Sequence, residues 1–254
     1  MVDRTRLRIQ QGELRVAGRC IARALDLDVN SGEVLAILGP NGRGKTTLIR
    51  AMVGTLPLSR GRRIVRGAIG YVPQSTGVSF DYRVRDLVVM GRARNIGLFG
   101  SPGAEDYAAA DAALDRMGQH ALADRRVSTL SGGERQLVLI ARALAGDCDV
   151  LMLDEPASAL DLRNQRHLFD LLGMLAGDNG LAVVFSTHVP GHAFDAADRV
   201  LLLHGPNHCD TGPVPQALSE EALSALYDTP IRVLADSFGS GRVLRAAVAT
   251  PEQA

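Results

Sequence analysis

The run Gly39-Pro40-Asn41-Gly42-Arg43-Gly44-Lys45-Thr46-Thr47 holds the residue types that grip a triphosphate. From Gly39 to Thr46 it fits the pattern G-x-x-x-x-G-K-S/T. Backbone N–H groups in such a loop line a concave nest, and the next helix points its positive end into it. Lys45 is the single lysine among 28 basic residues; every other one is arginine. A compact ammonium fits against phosphate oxygens where a planar guanidinium fork fits poorly. Lys45 is expected to reach the outer phosphates, and the Thr46 hydroxyl is a ligand for Mg²⁺. The bland alternative is a glycine-rich turn. The apolar run Val34 to Leu38 before the loop and the helix-forming stretch Thr47 to Val53 after it weigh against that.

Two further groups of residues belong to the same chemistry. In Asp149-Val-Leu-Met-Leu-Asp154-Glu155-Pro156 a pair of carboxylates closes an apolar strand. Asp154 can hold Mg²⁺ directly or through water, and Glu155 can polarise an attacking water as general base. Alone, such a pair reads as a strand end meeting solvent; beside a phosphate loop it reads as catalytic. Leu130-Ser131-Gly132-Gly133-Glu134-Arg135-Gln136 contains a Ser-x-x-Glu capping box, which by itself only starts a helix. Its two glycines go beyond capping, because they bare the backbone for an anion at the helix N-terminus.

These residues need a scaffold that carries loops at strand ends. Val34–Leu38, Ile69–Val72, Val150–Leu153, Leu181–Phe185 and Arg199–Leu203 are short apolar runs of the kind that form buried parallel strands. They alternate with helical stretches, which predicts an α/β fold with helices on both faces. From about Val84 to Ala145 the pattern is helical, with a start at Ser101-Pro102 and an alanine-rich stretch from Tyr107 to Met117. This reads as a helical subdomain inserted between two halves of the core, with its turn of entry at Pro73 to Gly77. Beyond His204 the sequence predicts turns at Gly205-Pro206 and Gly212 to Pro215, a short helix from Glu220 to Tyr227, and a frayed end from Ala246 to Ala254.

With 254 residues there is enough chain for a sizeable core, and 28 basic against 28 acidic residues give no net charge. That balance argues against nucleic acid as the main partner. Cys20, Cys148 and Cys209 are far apart and odd in number, which fits a reducing compartment. No apolar run approaches the ~18–20 residues of a membrane span, and Met1 to Gln11 does not read as a signal peptide. His204, His208, Cys209 and Asp210 form a zinc-like set, but Gly205 and Pro206 favour a plain turn. Arg60 to Arg63 reads as a solvated turn, and Met90, Met117, Met152 and Met174 as core filler.

Taken together, the chain resembles the ATP-binding subunit of an ABC transporter. The phosphate loop is Gly39 to Thr47, the glutamine loop Tyr71-Val-Pro-Gln74, the signature Leu130 to Gln136, and the acidic strand end Asp149 to Glu155. Ser158-Ala-Leu-Asp161 and the switch histidine His188 complete the set in the family's order. The resemblance implies a P-loop NTPase core with a mostly parallel sheet, an antiparallel N-terminal β subdomain and an inserted helical subdomain. The expected division is one ABC ATPase domain: residues 1–75 and 146–204 as core, 76–145 as helical signature subdomain, 205–254 as C-terminal extension. It also implies ATP and Mg²⁺ as cofactors, with Thr46, Gln74 and Asp154 on the metal and Glu155, His188 and Gln74 as the hydrolytic set. In a homodimer, Ser131 and Gly133 would face the partner's nucleotide; Gly132, Glu134 and Asp161 are further nucleotide-binding residues that the resemblance implies. Further implied partners are an integral-membrane permease dimer and, indirectly, a substrate-binding protein. The implied location is the cytoplasmic face of the inner or cell membrane.

Val84 to Arg92 is similar to a stretch in importers of metal chelates, and Leu137 to Leu144, Asp161 to Gln165 and Thr187 to Pro190 look most like their molybdate/tungstate and iron-complex branch. Their cargoes are iron–siderophore, haem, cobalamin, and molybdate or tungstate. Two departures stand out. The family stacks adenine on an aromatic residue before the phosphate loop, and here Val16 stands near that place. Arg43 replaces a small residue in the loop. The competing readings are an ABC subunit for another cargo, an exporter subunit, a soluble ABC ATPase acting on DNA or ribosomes, and a P-loop kinase. The first three share the motifs; the last lacks Leu130 to Gln136.

Overall fold

Apolar strands flanked by apolar layers on both faces organise the molecule. The computed structural model describes residues 4–74, 81–97, 100–205, 208–238 and 242–250. In chain order the elements are β1 (Thr5–Val16), β2 (Arg19–Asn30), β3 (Val34–Leu38), α1 (Lys45–Val53), β4 (Arg60–Val65) and β5 (Ile69–Val72). Then come α2 (Val84–Val89), α3 (Ala104–Arg116), α4 (Gly132–Ala145), β6 (Val150–Leu153), α5 (Leu162–Asn179), β7 (Ala182–Thr187) and α6 (Pro190–Ala196). The chain ends with β8 (Arg199–Gly205), β9 (His208–Pro213), α7 (Val214–Ala217), α8 (Glu220–Tyr227), β10 (Ile231–Phe238) and β11 (Arg242–Ala249).

The central sheet runs β5-β6-β7-β3-β8-β9, parallel except for β9 at one edge. Its strands obey the period of two that a sheet buried on both sides requires. Val34, Ala36 and Leu38 of β3, with Val183 and Phe185 of β7, join the cluster that holds the helical elements. Leu35, Ile37, Val184 and Met152 point the other way, against α1 and the N-terminal strands. Those strands form a separate antiparallel sheet, β2-β1-β4. The segment from α2 to α4 is helical, as its sequence pattern predicts.

Several expectations change. α3 begins at Ala104, after Ser101-Pro102, because the Gly103 amide donates to the Asp106 carboxylate at 2.9 Å and sets the start there. Arg60 to Arg63 belong to β4, paired with β1; their exposed arginines hide the strand, and Arg63 also donates to the Met52 and Val53 carbonyls at 2.7 Å. Met117 and Met152 are core, whereas Met90 and Met174 are exposed. Gly212 to Pro215 are not a turn: Gly212 and Pro213 end the edge strand β9, which pairs with β8 and whose mostly exposed side chains show no apolar alternation, and Val214 and Pro215 open α7. Residues 246–249 are not frayed but lie in β11, where Ala246 opposes Leu234 and Ala249 opposes Ile231. Pro206, Ser75 to Gly77 and residues 251–254 lie outside the described residues. The cysteines Cys20, Cys148 and Cys209 form no disulfide.

Arg199 ties the two sheets together. It donates to the nearly buried Glu33 carboxylate at 2.7 Å, to the Asp28 carbonyl at 3.1 Å and to the Thr211 hydroxyl at 3.3 Å. Removing it takes the charged partner from Glu33 Oε1 and leaves the nearly buried carboxylate held only through Oε2, by the Asn30 amide and side chain. Arg199→Ala is therefore expected to lower stability by about 2–3 kcal/mol. Urea unfolding checks this; an unchanged midpoint would remove the role.

Candidate active site

The phosphate loop hangs between β3 and α1 on close backbone contacts. The Gly39 amide donates to the Thr187 carbonyl at 3.3 Å, and a Cβ on Gly39 would stand 3.1 Å from the Leu203 carbonyl oxygen. Gly44 caps α1 at φ 102°, in the left-handed region, and a Cβ there would lie 2.5 Å from Ile21. Both positions exclude larger residues. Lys45 opens the helix with its side chain only 6% exposed. Its Nζ donates to the Gly39 carbonyl at 2.8 Å and the Pro40 carbonyl at 3.2 Å, and ion-pairs with Glu155 Oε1 at 3.1 Å.

The carboxylate pair follows β6. Asp154 is buried; its Oδ1 accepts from the Ser186 hydroxyl at 2.7 Å, and Ser186 Oγ accepts from the Glu155 amide at 2.9 Å. Asp154 Oδ2 is buried with no hydrogen-bond partner. A buried carboxylate oxygen without a donor suits a hard cation or its water shell, so the residues present fit Mg²⁺. Glu155 has φ 48°, a left-handed conformation that costs a non-glycine residue roughly 1–3 kcal/mol and is characteristic of functional sites. The turn brings Oε2 to 3.0 Å from His188 Nδ1.

His188 sits on a braced loop. The Thr187 hydroxyl accepts from the Val189 amide at 3.1 Å and lies 2.8 Å from His192 Nδ1. His192 Nε2 is 3.3 Å from Gln165 Oε1, a pure acceptor, which places the imidazole proton on Nε2 and leaves Nδ1 to accept from Thr187. Burial against Phe169 lowers the His192 pKa to about 4, so the ring is neutral at pH 7. Gln165 donates to the carbonyls of Ala157 and Leu160, which connects this loop to the Ser158–Asp161 turn. From the C-terminal extension, the Tyr227 hydroxyl donates to the His188 carbonyl at 2.7 Å.

One cleft collects Asn41, Gly42, Gly44, Lys45, Thr46, Thr47, Gln74, Glu155 and His188. At its outer end stand Val16, Arg19 and Ile21, so aliphatic and guanidinium groups occupy the place of the expected aromatic. Arg43 is exposed. The signature residues do not line this cleft. Ser131 caps α4, accepting from the Glu134 amide at 3.2 Å, while its own amide donates to Glu134 Oε2 at 2.8 Å. That bond holds the Glu134 carboxyl below its ordinary pKa. A Cβ on Gly132 would meet the Ala159 carbonyl at 3.3 Å, and one on Gly133 would meet Asn164 Nδ2 at 3.1 Å. Both glycines thus also serve close packing against the turn before α5. Asp161 caps α5, accepting from the Asn164 amide at 2.8 Å. Ser186, His192, Gln165 and Tyr227 were not marked by any sequence pattern; each acts through a neighbour that only folding supplies.

The model of the family described as ABC transporter matches residues 22–158. The molybdate import ATP-binding protein MolC of Haemophilus influenzae is 43% identical over 207 residues, covering 82% of this chain and 81% of that protein. The hemin import ATP-binding protein HmuV of Streptomyces coelicolor is 39% identical over 239 residues, covering 87% and 84%. A solved inward-facing conformation of a metal-chelate type ABC transporter superposes with a TM-score of 0.93 at 36% identity, covering 98% of both chains.

Two predictions follow from the histidine loop. Tyr227→Phe removes one anchor of His188 and is expected to reduce kcat roughly two- to tenfold with ATP affinity unchanged. A wild-type kcat would end this positioning role. The lowered pKa of His192 means the unfolded chain binds this proton more readily. Its contribution to stability is therefore present above pH 6.5 and lost as pH falls towards about 4. His192→Asn should show a shallower loss across that window in urea midpoints; identical pH profiles would refute the assignment.

Proposed function

This chain belongs to the ABC transporter family, and from that premise we propose that it is the ATP-hydrolysing subunit of an importer for a metal-containing solute. The observation that carries the reading is the convergence of Lys45, Glu155 and His188 in one cleft at the carboxyl ends of parallel strands, where α/β folds bind their ligands. Lys45 and the loop amides take the phosphate oxygens of ATP. Thr46, Gln74 and Asp154 would hold Mg²⁺, which would supply positive charge against those oxygens. As the triphosphate claims Lys45, the Glu155 carboxylate exchanges the ammonium for a water. It accepts a proton as the water oxygen bonds to the γ-phosphorus and the bond to the ADP oxygen breaks. His188, braced from behind, donates to the outer phosphate.

Ser131, Gly132, Gly133, Glu134 and Asp161 lie on another surface of the same chain, which supports a dimer in which each copy completes its partner's site. A second hollow lies between β5 and α4. Tyr71, Pro73, Met90, Arg94, Arg142 and Cys148 line it, and it connects the glutamine loop to the helical subdomain. We assign it to the membrane permease, so that closure around ATP pulls on the transporter. Among the described residues no helix is long and apolar enough to cross a membrane; the reading as a permease-bound subunit places the chain on the cytoplasmic face. Identity to molybdate and hemin import subunits supports a metal-containing cargo.

Glu155→Gln is expected to keep ATP binding, cut turnover at least ~100-fold and accumulate a dimer with Mg-ATP. Calorimetry, phosphate release and light scattering measure these. Parental turnover would remove Glu155 as base. For the cargo, uptake into vesicles carrying this subunit and its permease should depend on ATP for molybdate, an iron chelate, haem or cobalamin. No uptake of any of them would overturn the cargo class while leaving the ATPase reading intact.

A further inference from the structure

Outside the nucleotide cleft, the β8–β9 hairpin gathers two histidines and a carboxylate. His204 Nε2 lies 3.3 Å from Asp210 Oδ2, and His208 Nε2 lies 3.0 Å from the same oxygen. All three candidate donor atoms fall within 4.8 Å of one another. A tetrahedral zinc ion with bonds of about 2.0–2.2 Å has its donors roughly 3.3–3.5 Å apart. The two separations above sit close to that edge length before any ion draws the groups together.

Local backbone geometry creates the cluster. In the hairpin register Leu203 opposes Cys209 and Gly205 opposes His208, so His204 has no partner across the ladder. A bulge of this kind re-aims a side chain. It swings the His204 ring onto His208, with centroids 4.6 Å apart and planes within 16°. His208 and Asp210 are two apart on β9 and share a face. Cys209, between them, faces inward and packs on the layer beneath the N-terminal sheet, so it is not a ligand.

A plain surface hydrogen-bond cluster explains this less well. In that reading the His204 Nε2–H would be aligned on Asp210. Instead the atom is buried and, among the described residues, makes no well-aligned hydrogen bond, although the carboxylate stands 3.3 Å away. The geometry points to a binding site for one transition-metal ion of the zinc class, ligated by His204, His208 and Asp210. Two imidazole nitrogens and a single carboxylate suit zinc, cobalt or nickel, whereas Mg²⁺ and Ca²⁺ prefer all-oxygen shells. His208 and Asp210 are exposed, which leaves a coordination position for water. Leu203, next to His204, backs Gly39 of the phosphate loop, so the ion is held beside the nucleotide site without sharing a ligand with it.

The test uses untagged, nucleotide-free, full-length protein titrated with Zn²⁺ by calorimetry and with Co²⁺ by visible absorption. One ion per chain and the intense d–d bands of tetrahedral cobalt are expected. His208→Ala and Asp210→Asn should each weaken Zn²⁺ binding at least ~10-fold, since even the loss of an outer-shell partner costs about that much. Cys209→Ser should leave Zn²⁺ affinity unchanged, and unaltered ATP affinity in every variant shows that each is folded. Overturning results are no uptake, an octahedral-type cobalt spectrum, or a His208→Ala/Asp210→Asn pair that binds Zn²⁺ like the parent.

Discussion

Two opposite charges held almost out of water govern this molecule: the Lys45 ammonium and the Glu155 carboxylate, 3.1 Å apart. Such a pair contributes little to stability for its own sake, because desolvation offsets much of the attraction. It persists because each member has further partners. Lys45 is held by two loop carbonyls, and Glu155 by its backbone contact to Ser186 and its contact to His188. In the proposed mechanism a triphosphate competes for the ammonium and so changes the partners of the carboxylate, which would link binding to activation of water through a single contact.

The central sheet makes that contact possible. Parallel pairing sets Leu38 beside Thr187 and Leu153 beside Phe185. The residues that follow each strand, Gly39, Asp154 and His188, then emerge at the same edge. A one-residue slip would move every side chain of a strand into the opposite apolar layer, so the register is fixed by how the side chains fit those two layers. Positioning at the active site is thus a by-product of core burial. Glu155 departs from this economy: its left-handed backbone is strain that the surrounding packing must hold.

The elements around the histidine loop add a second layer of control. Thr187, neutral His192 and Gln165 brace the loop from the core side, and Tyr227 does so from the C-terminal extension. The same Gln165 amide holds the turn that precedes Asp161. A surface assigned to the partner copy and the residue assigned to the outer phosphate therefore share a hydrogen-bond chain. The C-terminal hairpin packs against α6.

The phosphate loop, the acidic strand end and the capping box were legible because each is local: close neighbours in sequence supply the chemistry and the backbone that presents it. The five parallel strands were legible because two-sided burial writes an unbroken apolar run. β4, β9, β10 and β11 were not, since edge and hairpin strands with mostly exposed side chains carry no such run, and their few inward side chains find partners only in the fold. Ser186, His192, Gln165 and Tyr227 were silent for a related reason: a hydroxyl, imidazole, amide or phenol gains its role from a partner on another element. Sequence alone determined which groups this chain brings to a triphosphate. Tertiary structure decided which of them meet, which are desolvated and which are strained, because those properties arise from strand register and packing between residues that the chain keeps far apart.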